Sequence, residues 1–358
     1  MKRLFPLFIL LPLLLSACAP VRPIRELRIV ETMGCDLTGD GPALSIAAEK
    51  PLLRLTQTAP SLRLAQDRLR NQAASGALFF AHTQFLLIGQ AMAENDLAPA
   101  LDLMARSADM RLRTPLFLLK NAAAAEAVQA GDEARNVTKM LAALQEDAEA
   151  HRGEAVFSCA ETLAALAERG AALAAACTLE EDTLRPAGYG VLKDGRCIGW
   201  IDPPEAQSAD LLRGLGGHGD VRLSVATVTL SECEAEYRPR WEGGALTGLD
   251  LTLYLRAALT ETDGRHDETT ARERAELEAA LAETVKTRCE AVLRRSQTLR
   301  ADFLDLAGQI RRGSAAKWSR IAPAWDEIWP QLAWSVTVEA ALDRTLDLNE
   351  PVPPGGTA

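Results

Sequence analysis

The spacing of apolar side chains changes several times along the chain, and each change marks an element. After Lys2 and Arg3, residues 4–15 are almost continuously apolar, broken only by Pro6 and Pro12. That run is well short of the roughly 20 residues a spanning helix needs, and its basic flank gives it the form of a signal peptide. "RELRIVETMGCDLTGDGPALSIAAEKP" predicts two short strands around a turn at Gly39-Asp40-Gly41. Leu62, Ala65, Leu69 and Ala73 recur at helical spacing. "ALFFAHTQFLLIG", bounded by Gly76 and Gly89, predicts a single buried strand with His82 as a core histidine. "DLAPALDLMARSADMR" predicts a helix with Asp96 as its cap and Pro99 in its first turns, and "TPLFLLKN" a short strand. Residues 122–176 are rich in alanine and predict helix throughout, with a break near Gly153.

The composition shifts at "LEEDTLRPAGYG". "GYGVLKDGRCIGWID" then predicts a hairpin about Asp194-Gly195, a favoured turn pair. Pro203 and Pro204 open a short helix through Leu211 and Leu215, and residues 220–264 alternate as a strand meander with turns at Gly243-Gly244 and Asp263-Gly264. Thr270 and Glu273 form a capping box. Behind them Leu277, Leu281, Val285, Cys289, Val292, Leu299, Phe303, Leu306 and Ile310 keep helical spacing up to Gly313. The pattern predicts one amphipathic helix of about 40 residues, roughly 60 Å long, laid across the meander. Four tryptophans follow (Trp318, Trp325, Trp329, Trp334), then an alternating strand in "WSVTVEAALDRTLDL" and a polar tail, "NEPVPPGGTA".

The apolar run at the N-terminus ends in Leu15-Ser16-Ala17-Cys18, the form of a bacterial lipobox, in which the thiol of Cys18 carries a diacylglyceryl group. Two or more acyl chains suffice for stable anchoring at about 0.8 kcal/mol per buried methylene. With 358 residues, 48% hydrophobic and 25% charged, the chain has the composition of an ordinary globular protein of two or three domains. The net charge of -10 becomes about -12 without Lys2 and Arg3, which argues against nucleic acid or anionic lipid as an electrostatic partner and leaves anchoring to the lipid. The other six cysteines, Cys35, Cys159, Cys177, Cys197, Cys233 and Cys289, are widely spaced without a C-x-x-C pair, the pattern of buried free thiols rather than of a disulfide framework.

Chemistry-bearing motifs are missing. His82, His151, His218 and His266 do not stand at metal-ligand spacing, so no metal site is expected. There is no G-x-S-x-G elbow or P-loop, and "RGLGGHGD" lacks the Lys-Ser/Thr of a phosphate loop. The acidic run at Glu180, Glu181 and Asp182 reads as a solvated face, and the Asn136-Val137-Thr138 sequon carries little weight in a bacterial lipoprotein. No catalytic residue and no cofactor is expected, and the chain reads as a non-enzyme.

The lipobox, "RELRIVETMGCD", "FFAHTQFLLIGQAMAENDLAPALDLMARSADMRLRTPLFLLKN", "GYGVLKDGRCIGWID" and "KWSRIAPAWDEIWPQLAWSVTV" stand in this order over nearly the whole mature chain. In that order they resemble the GerAC-like, or Ger(x)C, spore germination lipoproteins, the C subunits of nutrient germinant receptors. The resemblance implies an α/β (α+β) protein of two or three small mixed domains, the last with an antiparallel-rich sheet packed against one long amphipathic helix. It divides the chain into a signal peptide (1–17), a lipidated tether (18–25), an N-terminal α/β domain (26–183), a C-terminal α+β domain of GerAC type (184–348) and a tail (349–358). It also implies a membrane-anchored subunit on the outer face of the spore inner membrane beside membrane-embedded A and B subunits, acting without enzymatic activity in receptor assembly or signal transmission. Cys18 is the expected lipidation site; Trp200, Asp202, Trp325 and Trp329 are the candidate partner contacts, with burial of the tryptophans in the core as the favoured alternative. The alternative, a solute-binding lipoprotein delivering a small ligand to a transporter, needs a cleft between doubly wound lobes, and the antiparallel meander argues against it. An envelope enzyme is disfavoured by the missing chemistry.

Overall fold

The computed structural model describes residues 27–49, 51–73, 77–262 and 270–343. The signal peptide, Cys18, the Asp263-Gly264 turn, His266 and the tail lie outside the described residues.

Strands β1 (Leu27–Thr38) and β2 (Gly41–Ala48) pair antiparallel through the expected Gly39-Asp40-Gly41 turn, and β3 (Leu53–Thr58) adds to β2. Helix α1 (Leu62–Gln72) starts where the Ser61 hydroxyl accepts the Leu64 amide, and it buries Leu62, Ala65 and Leu69 as the spacing predicts. The next apolar run is not one strand but two. β4 (Ala77–Phe79) and β5 (Phe85–Ile88) both pair parallel with β1, and between them the Thr83 amide and hydroxyl turn back to the Phe80 carbonyl at 3.1 and 2.8 Å. His82 sits in this turn and is exposed, so it is not a core histidine.

The following segment also divides, into α2 (Gln90–Asn95) and α3 (Ala98–Arg106). Asp96 ends the first helix, and its side chain accepts the Ala98 amide at the start of the second. After β6 (Leu116–Leu119) come α4 (Ala124–Gln129), α5 (Val137–Asp147), a π-helical turn at Ala148–Arg152 and α6 (Cys159–Arg169). Gly153 and Gly170 stop helices in the left-handed region, at φ 62° and 70°, where a Cβ is strained.

Ala171–Glu180 is strand β7 rather than the end of an alanine-rich helix. It lies in the sheet interior between β6 and β8 (Thr183–Lys193), and β9 (Arg196–Ile201) follows. The hairpin from β8 to β9 turns at Asp194-Gly195 as expected. The sheet runs β3-β2-β1-β5-β6-β7-β8-β9, with β4 beside β1, and β1, β5, β6 and β7 are mutually parallel. Alternate side chains enter opposite cores. Leu87, Phe117, Leu119, Leu173 and Ala175 lie on one face, and Leu86, Ile88, Leu116, Leu118, Ala172 and Ala174 on the other. Burial on both faces is what overrides the helix propensity of the alanines.

The boundary expected between residues 183 and 184 falls inside the start of β8, and β8 and β9 pair on to β7 to complete this first sheet. Helix α7 (Pro203–Arg213) leads to a second sheet, β10 (Gly219–Arg222), β11 (Ala226–Glu242), β12 (Ala245–Thr262) and β13 (Ala333–Asp343), in that order. β10, β11 and β12 are antiparallel neighbours, while β13 returns parallel to β12. The crossover carries α8 (Ala271–Thr298), α9 (Leu306–Gly313), α10 (Ala315–Ile321) and α11 (Trp325–Ile328).

The long helix is therefore shorter than the periodicity suggests. α8 has 28 residues and stops before Arg300 and Asp305, whose φ values of 51° and 60° are incompatible with a continuous helix. At 1.5 Å per residue it spans about 42 Å. Its buried stripe, Leu277, Leu281, Val285, Cys289 and Val292, is the predicted one, and it packs against the second sheet. The expected mixed fold, with an antiparallel-rich C-terminal sheet against a long helix, is the one observed.

Candidate functional site

Leu27, at the start of β1, is nine residues after Cys18 in the sequence. The lower ends of β1, β5 and β6 together frame an open groove of ≈ 560 Å³ whose lining includes Ile29, Glu31, His82, Gln84, Arg111 and Arg113. Arg111 Nη2 lies 3.5 Å from His82 Nδ1, and Gln84 Nε2 donates to Glu31 at 3.2 Å. The sequence offers no signal for this groove, because its walls come from three segments that only the parallel sheet brings together.

Trp200 and Asp202 sit at the exit of β9. The indole of Trp200 is half-buried and its Nε1 donates to Glu94 on α2 at 3.2 Å. Asp202 is exposed at the N-terminus of α7, 4.0 Å from Lys120 Nζ. Both keep part of their surface available to a partner.

Trp325 and Trp329 do not. They are 6% and 1% exposed, stacked with ring centroids 6.0 Å apart, and so offer no surface to a partner. The Trp329 indole donates to the Ser296 hydroxyl at 2.9 Å and that of Trp334 to Gln297 at 2.9 Å, tying the segment to the end of α8. The Trp325 indole donates to Asp302 at 3.1 Å. That carboxylate also accepts the Leu306 and Ala307 amides at 3.0 and 2.8 Å, which restarts the chain as α9 after the break. Burial raises the pKa of Asp302, while these three donors pull it down. Apolar indoles with one satisfied N–H are core anchors here, because the segment packs inward on α8.

A second buried polar cluster joins the two halves of the chain. Tyr189 on β8 donates its hydroxyl to Asp210 on α7, and the Ala155 amide donates to the same hydroxyl at 2.6 Å and to Asp210 at 2.8 Å. Arg213 pairs with Asp210 at 3.2 Å and lies over the Phe157 ring. Next to it Arg152 bridges Asp147 and Glu154 at 2.8 and 2.7 Å. The other Glu154 oxygen is buried without a hydrogen-bond partner. Burial lifts the Glu154 pKa from 4.5 to about 7; Arg152 opposes the rise, and Asp210 and Asp147 add to it. Sequence reasoning missed this cluster, since its members come from three segments around residues 147–157, 189 and 210–213 that are tens of residues apart.

Among the described residues no group of three His, Cys, Asp or Glu side chains is arranged to hold a metal ion. Five of the six cysteines there are buried and Cys233 is half-buried, and all are free thiols. Burial pushes the pKa values of Cys159, Cys177, Cys197 and Cys233 to about 12, which makes them poor nucleophiles. Among the described residues no helix is long and apolar enough to cross a membrane.

Residues 20–156 match a family model described as the spore germination protein N-terminal domain, and residues 187–346 match one described as spore germination B3/GerAC like, C-terminal. No curated protein matches the chain. A solved structure, described as the crystal structure of the GerBC protein, shares the fold with a TM-score of 0.61 at 14% identity, over 87% of this chain and 97% of that one. With both family models matched in order, the chain belongs to the GerAC-like, or Ger(x)C, spore germination family, the C subunits of nutrient germinant receptors.

Proposed function

We propose that this chain is a lipoprotein subunit of a nutrient germinant receptor, fixed by acylated Cys18 to the outer face of the spore inner membrane and acting there without enzymatic chemistry beside membrane-embedded A and B subunits. The observation that carries the reading is the lipobox ending at Cys18, nine residues ahead of the first strand of a fold matched by both family models. A tether of that length, at no more than about 3.6 Å per residue, holds β1 within about 30 Å of the acyl chains. Confinement of this kind raises the effective concentration of the folded chain beside its partners without any new contact. The exposed Asp202 and the accessible edge of Trp200 are the proposed contacts with the other subunits.

The test is nutrient-triggered dipicolinate release from spores of the wild type, a deletion strain and a Cys18→Ala strain. The deletion is expected to abolish the response to at least one nutrient, and Cys18→Ala to lose part of it. Identical release from all three strains with every nutrient tried refutes the reading.

A further inference from the structure

We infer that the groove at the lower end of β1 is a membrane-docking face, which seats the folded chain on the phosphates of an anionic bilayer and so fixes its orientation. The inference rests on the proposed acylation of Cys18.

Three independent features converge on this end of the molecule. The first is reach: Leu27, the first described residue, follows Cys18 by nine positions, and Ile29 and Glu31 in the groove wall are the next outward turns of the same strand. The second is charge. Arg111 and Arg113 are both exposed in one groove wall, with His82 beside Arg111, and among the described residues neither arginine pairs with a carboxylate. Glu31 is the acid that lines the groove, while Asp109 nearby is already held by Arg70 at 2.7 Å. The third is apolar exposure: Ile29 and Leu112, interleaved with the arginines, are 37% and 36% exposed.

Arginines alternating with exposed aliphatic side chains suit a headgroup boundary, where guanidinium groups meet phosphate oxygens and the aliphatic tips enter the acyl region. Each basic side chain brought to an anionic leaflet is worth roughly a fivefold change in partitioning. The overall charge of about -12 without Lys2 and Arg3 speaks against a general attraction to anionic lipid, but it is a sum over the whole chain; screening over about 10 Å leaves the local patch to decide. A single flexible lipid tether does not orient what it holds. A second contact on the same side does, and it would present the opposite end of β1 to the aqueous phase.

The experiment uses the full-length acylated protein reconstituted on vesicles of phosphatidylcholine alone or with about one-third phosphatidylglycerol. A fluorophore is placed on Leu112→Cys or, as control, on Leu37→Cys, which is 38% exposed near the far end of the same strand, about 25 Å from Ile29. The native thiols, buried or half-buried, leave the introduced one to react. On anionic vesicles, quenching by an aqueous collisional quencher is expected to be at least about threefold slower at 112 than at 37. The Arg111→Glu/Arg113→Glu variant, or added salt, should remove that difference. Equal quenching at both positions on anionic vesicles, with the protein floating with the lipid, overturns the docking face and leaves the anchor standing. Protein that does not float with vesicles overturns both.

Discussion

Replacing Glu154 by Gln asks what a carboxylate costs when it is buried at the junction of the first sheet, α7 and the approach to β10. In the native chain one oxygen meets Arg152 at 2.7 Å and the other is buried without a partner. Burial raises the folded pKa to about 7 from 4.5, so between these limits the folded chain holds a proton that the unfolded chain has released. The sign follows: the stability contributed by the raised pKa is fully present below about 4.5 and is lost as pH rises through 7. At about 1.4 kcal/mol per pKa unit, the gap between 4.5 and 7 corresponds to about 3 kcal/mol. Glutamine resembles the protonated acid and carries no such dependence, and Arg152 keeps Asp147 at 2.8 Å. Glu154→Gln should therefore match the wild type near pH 4.5 and exceed its stability by up to about 3 kcal/mol near pH 8. Asp36 and Asp302 are also raised by burial but slope both proteins alike, whereas Asp210 is coupled to Glu154, so the difference between the two proteins reads position 154 together with that coupling. Urea unfolding across that pH range measures it. Parallel stability curves for the two proteins, or a Gln variant less stable than wild type near pH 8, would refute the reasoning.

Asp302→Ala leaves the amides of Leu306 and Ala307 and the Trp325 indole without their acceptor; a loss of about 3 kcal/mol in urea unfolding is expected, with Asp302→Asn losing less because it keeps one oxygen. The thiols of Cys159, Cys177 and Cys197, buried and pushed to about 12, should resist alkylation near pH 8 in the folded protein and react promptly in denaturant; rapid labelling of the native chain would contradict their placement.

Local chemistry alone settles several elements. The β8–β9 hairpin follows from Asp194-Gly195, which takes φ 50° and 76°, and the β11–β12 turn follows from Gly243-Gly244 at 57° and 89°; few other residues tolerate such angles. The start of α8 is written in Thr270 and Glu273, and its buried stripe in the spacing of Leu277 to Val292. The ordered motifs carry the family in the same way, since they are properties of short stretches.

Other features depend on what packs against what. Periodicity carries on past Thr298, yet the chain breaks there, because Asp302 turns inward to cap α9 and receive an indole from 23 residues further on. His82 lies in an apolar run but is exposed, because the run divides to give β1 two parallel neighbours. For Trp325 and Trp329 the spacing leaves both partner contact and core open, and the core reading holds because the segment closes on α8. The buried Glu154 cluster and the basic groove join segments that are distant along the chain, and no local pattern can encode that meeting. The alanines of β7 make the general case: their own preference is helical, but a strand covered on both faces in the middle of a sheet gains more from burial than a small propensity difference can oppose. Sequence by itself determined the turns, caps and family of this protein; the tertiary structure decided which apolar runs became strands, which aromatic side chains were buried and which charges met, because those outcomes depend on neighbours that only folding supplies.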